Sequence, residues 1–101
     1  MKLLIITSIA EYSSEVKQIL KKASVKTYSY RDVVGYRNTA EEAIESNWFG
    51  GEMYENESIL FYAFVAKENT DILCDSVADF NAKQETLSHI HVAVLNIEKS
   101  N

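Results

Sequence analysis

The order of strand-like and helix-like segments constrains the fold of this chain more than any other feature. Four short runs rich in β-branched and aromatic residues predict strands at residues 2–9, 26–36, 58–66 and 89–98. Two longer runs with apolar residues at helical spacing predict helices, one after the first strand and one after the third. This order predicts an α+β, ferredoxin-like βαββαβ fold, in which a four-stranded antiparallel sheet carries two helices on one face.

The two helices are predicted from their caps and their apolar stripes. Ser13 or Ser14 is a suitable N-cap for the first helix, and Asn69 or Thr70 for the second. We expect the second helix to end near residues 83–86. The apolar stripes are Val16, Ile19, Leu20 and Ala23 in the first helix, and Leu73, Val77 and Phe80 in the second.

The predicted strands carry apolar side chains on both faces of the sheet. Because alternate residues of a strand face opposite sides, Leu3 and Ile5 oppose Leu4 and Ile6. The third and fourth strands show the same double pattern. Two helices on one side cover only one face, and the other face would be an apolar patch larger than soluble monomers usually expose. We therefore expect the chain to self-associate.

Composition sets the broad class of the protein. The 101 residues form one predicted domain, and 47% apolar with 25% charged residues is typical of an ordered globular chain. The net charge of −5 argues against nucleic-acid binding. No signal peptide or membrane span is predicted, and Cys74 is the only cysteine, so an intrachain disulfide is excluded. These features predict a cytoplasmic location.

A polar interruption at residues 36–57 separates the second and third predicted strands and contains the only Trp of the chain. Thr39 and Glu42 fit a capping box, which predicts a short helix there. Aromatic residues beside glycines are typical of a loop that binds a partner. The predicted partner-binding residues are Trp48, Phe49, Met53 and Tyr54, with Gly50 and Gly51 as the flexible element. The alternative is that Trp48 and Phe49 pack as ordinary core.

Two histidines are the candidate metal ligands. His89 and His91 lie two apart on a predicted strand, so they would share a face and could chelate one ion. A third ligand would have to come from Cys74, a carboxylate or another subunit. The alternative is two histidines at a strand edge or an interface. The sequence contains no recognisable nucleophile elbow, phosphate loop or dinucleotide fingerprint, so we predict no catalytic residues and no enzyme activity.

Two short segments resemble the nitrogen regulatory PII superfamily. Val33-Val34-Gly35-Tyr36-Arg37 is similar to the segment that enters the T-loop of PII proteins, and His89-Ile90-His91-Val92 is similar to the strand start after their B-loop. With the long insertion, the chain resembles PII signalling proteins and PII-like relatives over nearly its whole length. The resemblance implies a homotrimer with effector-binding clefts between subunits. It also implies a T-loop, here residues 36–57, that docks onto a transporter or enzyme.

The resemblance further implies that Arg37 and His89 contact an anionic effector in the cleft. The stretch Gln84-Glu85-Thr86-Leu87-Ser88, at the place of the PII B-loop, contains no glycine, although glycine amides hold the phosphates in that family. The chain also ends at Asn101, without the basic C-terminal segment of PII. We therefore assign no cofactor. Adenine nucleotide stays a candidate that these departures disfavour, and the chain resembles the PII-like branch more than PII itself.

Metal binding remains as a second interpretation of the same fold. The divalent-cation-tolerance proteins of CutA type share this fold and its trimeric assembly, and His89 and His91 would be the ligands in that case. A trimer rather than a dimer follows from the resemblance alone, because an apolar sheet face requires only that something covers it.

Overall fold

A computed structural model describes residues 1–36, 55–85 and 87–101 of the chain. The strands are β1 (Lys2–Ile9), β2 (Ser29–Tyr36), β3 (Glu55–Val65) and β4 (His91–Asn96), and the helices are α1 (Ser13–Lys22) and α2 (Lys67–Lys83). A 3-10 helical turn, Ala10–Tyr12, leads from β1 into α1. In these ranges neither helix is long and apolar enough to cross a lipid bilayer.

The four strands form one antiparallel sheet in the order β2-β3-β1-β4. β1 is central and pairs along its length with β3, from Lys2 opposite Val65 to Ile9 opposite Ser58. β4 forms one edge beside β1, and β2 forms the other beside β3. The predicted ferredoxin-like βαββαβ fold is confirmed.

The core lies between one face of the sheet and the two helices. Leu4 and Ile6 of β1 alternate with half-buried residues, and both are almost completely buried. The predicted apolar stripes of both helices pack against this face, with Phe80 only partly buried. The buried residues are Leu4, Ile6, Val16, Ile19, Leu20, Ala23, Val25, Ile59, Phe61, Ala63, Val65, Leu73, Val77 and Ile90.

The opposite face of the sheet, which we call the open face, is also apolar. Cross-strand pairs on one face place Leu3 beside Phe64 and Leu95, and Ile5 beside Tyr62. Phe64 is 58% exposed and Tyr62 is 42% exposed. Neither of the two described helices covers this face, because both pack on the other side. The expected two-sided apolar sheet is therefore present.

The N-terminal ends of the helices differ from the prediction. Ser13 is already the first residue of α1, and the Ser14 hydroxyl donates to the Glu15 carboxylate, so neither serine caps the helix. α2 begins at Lys67, before the two predicted caps. The Thr70 hydroxyl donates back to the Lys67 carbonyl oxygen at 2.6 Å. Hydroxyl side chains inside a first turn bond locally in this way, and sequence alone does not distinguish that role from capping.

The C-terminal end of α1 closes with two hydrogen bonds of the Schellman type. The Ser24 N–H donates to the Lys21 carbonyl at 3.0 Å, and the Val25 N–H donates to the Leu20 carbonyl at 2.9 Å. Ser24 has φ 62°, in the left-handed region, and is the one such non-glycine residue in the described ranges. Because this link uses residues 24 and 25, β2 begins at Ser29 and not at the predicted residue 26.

Strand pairing extends into both ends of the predicted insertion. Tyr36 pairs with Glu55, so β3 begins three residues before the predicted start. The polar residues 55–57 lack the apolar signal of a strand, yet backbone pairing with β2 does not require one. Residues 37–54, including the short helix predicted at Thr39, lie outside the described residues.

Candidate functional site

One end of the sheet forms a groove of about 580 Å³, which we call the strand-end groove. Because neighbouring strands are antiparallel, the C-terminal ends of β1 and β2 meet the N-terminal ends of β3 and β4 there. The described lining residues are Thr7, Ser8, Ile9, Val33, Gly35, Tyr36, Ser58, Leu87, Ser88, His89 and His91. A groove of this volume is in the range of small-molecule sites.

Hydroxyl and imidazole groups dominate the polar lining. Thr7, Ser8, Tyr36, Ser58 and Ser88 carry hydroxyls, and two histidines carry imidazoles. The Ser8 hydroxyl is engaged within the protein, because it donates to the Ile9 carbonyl oxygen at 3.0 Å. Among the described lining residues there is no lysine, arginine or carboxylate. These groups can donate hydrogen bonds to the oxygens of an anion and accept them from a neutral ligand. A fixed positive charge would have to come from outside the described lining.

The histidines are positioned through Asn81 of α2. The Asn81 side-chain amide donates to the Ile90 carbonyl oxygen at 2.8 Å, and its oxygen accepts from the Ile90 N–H at 2.8 Å. This pair of bonds satisfies both backbone groups of Ile90, a residue that is only 2% exposed. Since Ile90 separates His89 from His91, the amide fixes the backbone from which both imidazoles extend.

Tyr12 holds an earlier part of the connection between α2 and β4. Its hydroxyl donates to the Ser88 carbonyl oxygen at 3.3 Å and lies 3.5 Å from Gln84 Oε1. Its ring packs edge-on against Phe80, with centroids 5.0 Å apart. Gln84 Nε2 in turn donates to the Phe80 carbonyl oxygen at 3.2 Å. The connection between α2 and β4 is therefore held by side-chain bonds, in a stretch where glycine is absent.

Both predicted histidines line the strand-end groove, but only His91 lies in a strand as expected. β4 begins at His91, so His89 precedes the strand and strand alternation does not set its position. Both side chains are exposed. Among the described residues there is no group of three His, Cys, Asp or Glu able to hold a metal ion. The Cys74 thiol, considered above as a third ligand, lies on α2 and is not among the described lining residues.

The other predicted site residues lie outside the described residues. They are Arg37, the predicted anion contact, and the predicted partner-binding set Trp48, Phe49, Gly50, Gly51, Met53 and Tyr54.

Sequence reasoning missed the hydroxyl lining of the groove. Thr7 and Ser8 follow directly after the apolar run 3–6, and this change from apolar to hydroxyl residues at the end of a central strand was the available signal. Ser58 and Ser88 carry no comparable pattern, because they reach the groove only through the register of β3 and the fold of the loop before β4.

A comparison with solved structures finds the same fold in a known protein. The chain is similar to CPII, a nitrogen regulatory PII-like protein from Thiomonas intermedia K12, whose structure is bound to ADP, AMP and bicarbonate. The TM-score is 0.64, and the match covers 99% of this chain and 94% of CPII. The sequences are 16% identical, so the likeness confirms the predicted PII-like fold and no more. No protein-family model and no curated protein match the chain.

Proposed function

We propose that the chain is a cytoplasmic PII-like regulatory protein that binds a small anionic effector in the strand-end groove. The groove is completed by a neighbouring subunit of a homotrimer, and the segment between β2 and β3 binds a transporter or an enzyme. The main observation in support of this proposal is that all four strands and the loop before β4 contribute residues to one groove. The fold around that groove is similar to that of a protein whose structure contains two adenine nucleotides and bicarbonate.

The open face supports self-association. It presents Leu3, Leu60, Phe64 and Leu95 without a covering helix in the described ranges. Burial of roughly 800 Å² per subunit at about 25 cal/mol per Å² would contribute on the order of 20 kcal/mol before association costs. Lost translational freedom and side-chain ordering offset much of this free energy. Packing of open faces against one another would also place strand ends of different subunits side by side.

The position of the groove supports coupling to the segment 37–54. Gly35 and Tyr36 line the groove where β2 leads into this segment, and Ser58 lines it three residues after β3 begins. A ligand that contacts these residues can favour one arrangement of the segment over another. It shifts that equilibrium only if it binds the two arrangements with different affinity. We infer that the aromatic residues of the segment contact the partner and that its two glycines permit the change.

The lining of the groove supports an anionic effector. Side-chain hydroxyls and two imidazoles suit the oxygens of a phosphate or of bicarbonate. Arg37 directly follows Tyr36, a lining residue, and we propose that it supplies the fixed positive charge. His89 extends from the backbone next to the Asn81 clamp, and we propose that it donates a second contact to the anion.

Calorimetric titration with AMP, ADP and bicarbonate, each used separately, tests this function. We expect saturable binding of at least one of the three, weakened by about tenfold or more in Arg37→Ala and in His89→Ala, since hydrogen bonds to charged groups are lost. Lys99→Ala removes a charge outside the groove and is the matched control. The absence of binding by all three ligands would contradict the proposal.

We also propose that the groove binds its ligand without chemical turnover. Chromatography of the nucleotide after prolonged incubation with the protein should recover it unchanged. Formation of AMP or free phosphate from ADP, abolished in His89→Ala, would assign an enzyme activity instead.

Zinc or copper binding is the second candidate function, because His89 and His91 line the same groove. The described residues offer no third ligand, so a neighbouring subunit would have to complete the site. Equilibrium dialysis against each metal separates the two functions. Loss of bound metal in His91→Ala would support a metal site of the CutA type, and an unchanged stoichiometry would remove it.

A further inference from the structure

A second groove, which we call the lysine groove, lies at the other end of α1. It has a volume of about 560 Å³ and is lined by Lys17, Gln18, Lys21, Ser24, Val25, Lys26 and Tyr28. α1 runs back from the C-terminal end of β1, so its own C-terminal end lies away from the strand-end groove. The two grooves share no described lining residue.

The lysine groove concentrates positive charge in an acidic protein. Three of the ten basic residues of the chain line it, whereas the net charge of the chain is −5. No carboxylate is among its described lining residues. The dipole of α1 explains a cation at Lys21 in the last turn. It does not explain Lys26, which lies beyond the helix, or Lys17, which lies one turn earlier.

Aromatic rings support one of these cations and provide an apolar wall. The Lys17 ammonium lies 4.6 Å from the centre of the Tyr30 ring and donates to the Tyr30 hydroxyl at 3.4 Å. The Tyr28 ring, which lines the groove, packs against Phe61 of the core with centroids 5.8 Å apart. Val25 is also a lining residue, although it is almost completely buried. Lysine side chains beside an aromatic wall favour a ligand with an anionic head and an apolar body.

Ser24 adds a strained backbone and a hydroxyl at the same place. Its φ of 62° is a conformation that glycine adopts without strain, and helices commonly end with glycine at this position. A serine here retains strain and offers a hydroxyl donor at the groove. Strain of this kind clusters at ligand sites in other proteins.

We propose that the lysine groove binds a small organic anion, a phosphate or carboxylate carried on an aromatic or apolar body. Lys17, Lys21 and Lys26 neutralise the anionic head. The Ser24 hydroxyl donates a hydrogen bond to it, and Tyr28 contacts the body. The site lies outside the groove proposed for the regulatory effector and does not depend on that function.

Titration of the full chain with naphthyl phosphate and with naphthoate, followed by amide NMR, tests the proposal. We expect saturable chemical-shift changes at the amides of residues 24–28. The affinity that they report should fall as salt is added, because salt screens the lysine charges. Tighter binding of naphthyl phosphate would assign an organic phosphate, and tighter binding of naphthoate would assign a carboxylate. Inorganic phosphate alone should bind more weakly than naphthyl phosphate, because it cannot contact the aromatic wall.

Matched charge variants provide the control. The double variant Lys17→Gln, Lys26→Gln should weaken binding by about tenfold or more, since two charge-assisted contacts are lost. Lys67→Gln, Lys99→Gln removes the same charge elsewhere and should change affinity by less than about twofold, as screened distant charges do. Equal weakening in both double variants would overturn the proposal, as would the absence of saturable shifts at residues 24–28 with both probes.

Discussion

Ser24 carries the clearest conformational cost of any single residue in the described chain. Its left-handed conformation places Cβ close to the following carbonyl oxygen, and only glycine avoids this contact. Ser24→Gly should therefore raise the free energy of unfolding by about 1 kcal/mol, even after the extra entropy of glycine in the unfolded chain. Urea denaturation measures the change.

Ser24→Ala is the control for that substitution, because it removes the hydroxyl and keeps Cβ. It should give no gain in stability. If Ser24→Gly is less stable than the wild type, the strain assigned to this helix end is absent.

Cys74 gives a prediction on reactivity. Burial raises the pKa of its thiol, and the carboxylates of Asp71 and Asp75 raise it further. The folded state thus favours the protonated thiol, and the resulting stabilisation is present below the unfolded-state pKa and lost as the pH rises through the folded-state pKa. At about pH 8.5, alkylation by iodoacetamide should be slower in the folded than in the denatured protein.

Neutralising a neighbouring carboxylate separates two causes of slow Cys74 alkylation, the nearby negative charge and the limited accessibility of the thiol. Asp75→Asn should speed alkylation of the folded protein, because one of the charges that oppose the thiolate is removed. Asp79→Asn, on the same helix and not a contributor to the shift, should leave the rate unchanged. Equal rates in the wild type and Asp75→Asn would contradict the electrostatic account.

At the scale of elements, Asn81 bonds α2 to Ile90, the residue before β4. Asn81→Ala would leave the buried N–H and C=O of Ile90 without the partners they have in the wild type. We expect a loss of about 2–3 kcal/mol in the free energy of unfolding, because buried unsatisfied backbone groups are costly. Thermal or urea denaturation measures it, and binding in the strand-end groove should weaken in parallel.

Asn96→Ala is the matched amide control. The Asn96 side chain accepts an exposed hydrogen bond from Lys2, and its loss should cost well under about 1 kcal/mol. Similar destabilisation by the two substitutions would mean that the Asn81 bonds do not hold the loop.

The sequence predicted the elements well where apolar periodicity was strong. β1 was predicted with both of its ends, and the stripe from Val16 to Leu20 located α1. The sequence did not predict the ends of elements that are set by backbone hydrogen bonds. Ser13 and Asn69 carry good capping side chains, yet each lies inside its helix. Glu55 carries no strand signal, yet it pairs with Tyr36. Alternation of side chains does not encode such backbone contacts.

Prediction of the candidate site was limited for a similar reason. His89 and His91 were recognisable from residue type alone, and the structure places both in the strand-end groove. Thr7, Ser58 and Ser88 come from three separate parts of the chain, and only the sheet order β2-β3-β1-β4 brings them together. The lysine groove likewise depends on how the chain turns at Ser24, which propensity did not predict.

At the scale of the whole molecule, we expect a single charge introduced on the open face to disrupt the assembly. Phe64→Glu places a carboxylate in the proposed subunit contact and should dissociate the assembly, because an unpaired charge is costly to bury. Ile72→Glu, on α2 and 48% exposed, makes the same kind of change on the other side of the molecule and should leave the assembly intact. Size-exclusion chromatography with light scattering distinguishes these outcomes.

Sedimentation velocity of the unmodified chain tests the central claim most directly, since the shared groove and the regulatory function both require that open faces pack together. At micromolar concentration we expect one species of three times the 11.5 kDa chain mass. A stable species of 11.5 kDa at that concentration would contradict the account.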